Sequence, residues 1–143
     1  MGLCYMAKNQ NDLANWGLRK AEQYLESARA NLNEDRLYPA AEEIFRATET
    51  TFESMLYMQG VKEIRYPGKE RPYKGRLALQ FLIRDHLLNK KTIDKKLFDK
   101  YLEIENELHS AGYMYGKTFE TKELESYMDF AEELFFKAQS MHL

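Results

Sequence analysis

The sequence predicts an all-α protein, an up-and-down bundle of four to five antiparallel helices, and three observations carry that expectation. Apolar residues recur at spacings of three and four over five separate stretches, the period of an amphipathic helix. Only seven Gly and three Pro occur in 143 residues, too little turn chemistry for a fold of many short strands. The hydrophobic fraction is 44%, with ten Tyr and eight Phe, enough large apolar surface to fill a core without disulfides or a metal. The length suits one domain, residues 1–143, with the first ten read as a frayed end.

The first helix is expected from Asn11 to Asn33, where Leu13, Ala21, Tyr24, Leu25, Ala28 and Leu32 form the stripe and Asp12 is the candidate N-cap. After the polar break NEDR, the second is expected from Tyr38 to Gln59. Pro39 suits its first turn, where a missing N–H costs nothing, and Gly60 suits the left-handed position just past its end. Its stripe runs from Ala41 through Ile44, Phe45, Thr48, Phe52 and Met55 to Leu56. Residues Val61 to Pro72 read as the longest loop, with Pro67-Gly68 as a turn.

A third helix is expected from Tyr73 to Leu88, with Leu77, Phe81, Leu82 and Leu88 inward. The fourth is expected from about Thr92 to Tyr115 on the stripe Leu97, Phe98, Tyr101, Ile104, Leu108 and Ala111, with Gly112 and Gly116 loosening its end. The fifth is expected from Thr121, its candidate N-cap, to Met141, with Leu124, Tyr127, Ala131, Leu134, Phe135 and Ala138 inward. The doublets Glu42-Glu43 and Glu132-Glu133 read as solvated faces.

Several chemistries find no support. One cysteine, Cys4, allows neither an intramolecular disulfide nor a Cys-based zinc site. A di-iron bundle needs Glu three residues before a ligand His, and Ile83, Asn106 and Gln139 stand before His86, His109 and His142. There is no nucleophile elbow, Walker loop or dinucleotide-binding glycine pattern, so no cofactor is expected. No apolar run approaches the roughly 20 residues of a membrane span, and the first residues lack a signal-peptide pattern, so a cytoplasmic chain is expected.

Charge is unevenly distributed. Between Lys62 and Lys100 lie twelve Lys or Arg and five Asp or Glu, net +7, while the rest of the chain carries nine against eighteen, net −9. Lys62, Arg65, Lys69, Arg71, Lys74 and Arg76 form a basic stretch suited to phosphates. Tyr66, Tyr73, Tyr113 and Tyr115 lie among or near basic residues, where aromatics can stack on bases or serve as ordinary helix-end residues. His109, late in the fourth helix, has Glu105 one turn before it and Tyr113 one turn after. It reads either as a structural histidine or as an acid–base or phosphate-contacting group in a groove.

The order of elements resembles the HEPN superfamily, higher eukaryote and prokaryote nucleotide-binding proteins. The segment LRKAEQYLESARANLNEDRLYPAAEEIFRATETTFESMLYMQGV is similar to that family's opening hairpin, and ELESYMDFAEELFFKAQ to its closing helix. The resemblance covers about Leu18 to Met141 and implies a homodimer that binds RNA or nucleotides, with His109, Glu105, Asn106 and Tyr113 lining a groove between protomers. RNase members of the family carry Arg with four to six residues between it and this histidine, and here Leu102, Glu103 and Ile104 hold those places. That departure implies binding without efficient catalysis. Two alternatives stand beside it: a protein-interaction subunit, such as the partner of a small nucleotidyltransferase, and a metal-independent RNase using His109.

Overall fold

A computed structural model describes residues 10–61, 76–109 and 115–142. Within them the chain forms five helices and no strand: α1 (Gln10–Asn33), α2 (Leu37–Met58), α3 (Arg76–Ile83) continuing into a π-helical turn (Arg84–Leu88), α4 (Lys95–His109) and α5 (Thr121–His142). Cross-helix contacts give the directions. The α1–α2 connection is three residues, so the two form a hairpin. Arg29 pairs with Glu125 at 2.8 Å, and Asn15 meets His142 at 2.8 Å, so α5 runs antiparallel to α1. His109 packs on Phe45 and Tyr101 on Phe52, so α4 runs antiparallel to α2. It follows that α4 and α5 are antiparallel to each other, the up-and-down arrangement expected.

Helix α2 is the centre. Its buried residues run round the helix from Thr50 and Ser54 through Ala40, Ile44 and Thr48 to Phe52 and Leu56, more than half of its circumference rather than one stripe. The threonines are tolerated there because each hydroxyl donates back to its own helix, Thr48 to the Ile44 carbonyl at 2.9 Å and Thr51 to the Ala47 carbonyl at 2.7 Å. Small residues let α1 come close. Ala14, Ala21 and Ala28 are fully buried, and a Cβ added to Gly17 would lie 2.9 Å from Ser54 Cβ and 3.3 Å from Ser54 Cα. The Ser54 hydroxyl donates across this contact to the Ala14 carbonyl at 2.7 Å.

The connection is held by polar groups. Asp35 takes a left-handed conformation (φ 60°), open to a short polar residue, and the Arg36 amide donates to the Asn31 carbonyl at 2.8 Å. Glu43 accepts from Asn31 Nδ2 at 2.6 Å and from the Ser27 hydroxyl. Glu43 is therefore a tie between α1 and α2 rather than part of a solvated face.

Gly60 lies just past α2 with φ 88°, as its position required, and α5 buries every residue expected of it. Asp12 sits inside the first turn of α1 rather than at its cap. Helix α4 starts at Lys95, not near Thr92, because Asp94 Oδ1 accepts the Leu97 amide at 2.8 Å and takes the N-cap role. It ends at His109 among the described residues, short of Tyr115, which lies in a turn with Gly116 (φ 81°). Thr121 opens α5 as its first helical residue.

The face of α3 is the largest correction. Leu77 is 52% exposed and Ala78, Leu79, Ile83 and Leu87 are buried, while Leu82 and Leu88, expected inward, pack against the core half-buried. Its sequence is apolar nearly all round, so periodicity alone gave no unique face. The π turn, closed by the Asn89 amide on the Arg84 carbonyl at 2.9 Å, narrows the angular step per residue and keeps Leu87 in one row with Leu79 and Ile83 at a spacing of four.

The Gly17–Ser54 contact makes a stability prediction. Gly17→Ala gains helix propensity of about 1 kcal/mol but overpacks a backbone-level contact, a cost of about 1–3 kcal/mol. Urea unfolding should show a net loss of stability, smaller in a Ser54→Gly background than in the parent because the two positions are coupled.

Candidate functional site

Helix α4 organises two concave surfaces on opposite flanks. Its inward residues Tyr101, Ile104 and Leu108 anchor it to α2. On one flank, Leu102, Glu105 and Asn106 face α3 across a depression of about 370 Å³ that Leu77 and Gln80 complete. On the other, residues from Asp94 to Glu103 form one wall of a groove of about 770 Å³ against α5.

Glu105 is 1% exposed and lies at the base of the first depression. Its Oε1 accepts the Tyr101 hydroxyl at 3.0 Å and the Gln80 side-chain amide at 3.2 Å. Tyr101 is fully buried and meets Phe52 edge to face, with ring centroids 4.7 Å apart. A carboxylate is thus held between α3 and α4 by two neutral donors, a geometry that fixes its direction. Asn106 is exposed beside it, with amide donor and acceptor both available to a ligand.

Two of the expected groove residues, Glu105 and Asn106, therefore line one surface. His109 does not line that depression; its half-buried ring stands edge-on to Phe45 of α2, centroids 5.7 Å apart at 75°. Tyr113 lies outside the described residues, as do Lys62, Arg65, Lys69, Arg71 and Lys74. Arg76 is the first residue of α3, directly before Leu77 at the rim of the depression. Sequence reading missed Gln80 and placed Leu77 on the wrong face. A signal for Gln80 was present: it is the one uncharged polar residue in RLALQFLI, and a lone amide in an apolar helix marks a buried partner.

The second surface has an apolar floor of Leu97, Phe130 and Leu134. Helices α4 and α5 meet near one end, where the Tyr127 hydroxyl donates to Glu103 Oε2 at 3.3 Å and Lys100 Nζ lies 5.2 Å from the Tyr127 ring centre. Burial pushes the Tyr127 phenol well above its usual range, and the charges of Glu123, Glu103 and Glu107 push it further. Among the described residues no group of three His, Cys, Asp or Glu side chains is placed to hold a metal ion, and no helix is long and apolar enough to cross a membrane.

With that geometry in hand, the class of protein is an all-α bundle whose fourth helix separates a polar depression from an apolar groove. Compared with known family models, curated proteins and solved structures, the chain matches none of them.

Two outcomes test the site. Glu105→Ala removes the acceptor of two buried donors and should cost about 1–3 kcal/mol in urea unfolding, with Glu105→Gln, which keeps an acceptor oxygen, costing less. The second concerns pH. Because the folded state holds the Tyr127 phenol above its unfolded value of about 10, its contribution to stability is complete below pH 10 and is lost as pH climbs beyond it. The urea midpoint of the parent should fall more steeply above that pH than that of Tyr127→Phe.

Proposed function

We propose that this protein is a HEPN-like module that binds single-stranded RNA or nucleotides, as a homodimer, without efficient cleavage. The observation that supports the reading is the α3–α4 depression. Gln80, Glu105 and Asn106 converge there between Leu77 and Leu102, and in the sequence the basic stretch from Lys62 runs up to Arg76, the residue before Leu77. Amide and carboxylate groups between apolar walls suit the edge and face of a base, and the cations that precede Leu77 in the sequence suit its phosphate. His109 then serves as a packed neighbour of the site rather than as a general base. Cleavage is weak in this reading because Leu102, Glu103 and Ile104 stand where the resemblance requires an arginine.

Titration of labelled single-stranded RNA at two salt concentrations tests it. Binding should weaken with salt by about 0.7 log units per phosphate contact per log unit of salt. The Lys69→Ala, Arg71→Ala, Lys74→Ala triple variant should lose affinity and show a slope shallower by about 2. Asn106→Ala should weaken binding without changing the slope. The RNA should stay intact over the experiment. Affinity unchanged in the triple variant would overturn the reading.

A further inference from the structure

We propose that the groove between α4 and α5 is a docking site for a basic amphipathic helix of another protein. The inference is independent of RNA binding, because the groove lies on the opposite flank of α4 from the polar depression.

The floor of the groove is apolar, Leu97 from α4 and Phe130 and Leu134 from α5, and its walls are charged. The α4 wall runs from Asp94 to Glu103, about 15 Å at 1.5 Å per residue. That length accepts about three helical turns, with apolar anchors at i, i+4 and i+7.

The charges of the walls select the occupant. On α4, Lys95 pairs with Asp99 at 3.0 Å and Lys100 with Glu103 at 3.3 Å, so these carboxylates already have cations. On α5, Asp129 and Glu133 stand one turn apart on the groove wall, both exposed, and neither has an ion pair among the described residues. The stretch of the α5 wall before Lys137 is therefore acidic, and an incoming helix satisfies Asp129 and Glu133 with Lys or Arg at i and i+4 on one flank. Lys96 and Lys137 lie toward the same end of the groove, by the antiparallel pairing anchored at Glu103 and Tyr127. Cations at that end favour the C-terminus of the docked helix.

The experiment uses the full chain and two fluorescent synthetic peptides of roughly eighteen residues, about five turns. Both carry a Leu stripe at helical spacing; one has Lys on a single flank, the other Glu. Fluorescence anisotropy should show the Lys peptide binding roughly tenfold more tightly than the Glu peptide, with the difference shrinking as salt rises. Asp129→Lys with Glu133→Lys, both at exposed positions, should reverse the preference while circular dichroism stays unchanged. Phe130→Ser should weaken both peptides. Equal binding of the two peptides, no binding of either, or no change on charge reversal would overturn the proposal. So would a concentration-dependent dimer in sedimentation velocity that Phe130→Ser dissociates, since the groove would then belong to a second copy.

Discussion

The close approach of α1 and α2 is the constraint on which the rest of the bundle depends. Gly17 leaves room for the Ser54 side chain, and the Ser54 hydroxyl spans the gap to the Ala14 carbonyl. The same small-residue choice recurs at Ala21 and Ala28 on α1 and at Ala40, Ala41 and Ala47 on α2. Packed this tightly on one side, α2 still has large side chains for the others. Ile44, Phe52, Met55 and Leu56 are fully buried among the helices that surround it. Helix α4 takes its position from that surface through the Phe52–Tyr101 and Phe45–His109 ring contacts.

The functional surfaces follow from how α4 sits. A helix anchored by a narrow inward face leaves both flanks available, and the neighbours differ in chemistry. Facing α3, it meets Gln80 and forms a polar junction around Glu105, and facing α5, it diverges above Leu97, Phe130 and Leu134. Burying a carboxylate is costly unless donors compensate, so the Gln80 bond from α3 to Glu105 limits which rotations of α4 are compatible with the core, while the Tyr101 bond within α4 holds the carboxylate in place. The two surfaces thus share a single structural determinant, the rotation of α4 about its axis.

The elements were legible in the sequence to different degrees, for physical reasons. The stripes of α2 and α5 were clear because apolar and polar residues segregate strongly along them, and Pro39 and Gly60 mark the ends of α2 through backbone geometry that few other residues share. The start of α4 was placed near Thr92 because Thr92 and Asp94 both suit a helix start, and only the bond from the Leu97 amide to Asp94 Oδ1 shows that Asp94 is the cap. The face of α3 was misread because an almost wholly apolar helix has no unique stripe, and the π turn shifts the row that faces the core. Glu43 looked solvated because a helical wheel shows a residue's own helix and not Ser27 or Asn31 across from it.

By itself, the sequence determined the helical class, the number of helices, most of their extents and the residues that fill the core. Those properties arise from local propensity and periodicity, which are written along a single chain. The tertiary structure alone decided that Glu105 meets Gln80, that His109 turns toward Phe45, and that Leu97 and Leu134 share one groove. These meetings join residues up to tens of positions apart, and they depend on how each helix is rotated about its own axis. That rotation is set by side-chain packing summed over the whole bundle, and no local stretch of sequence encodes it.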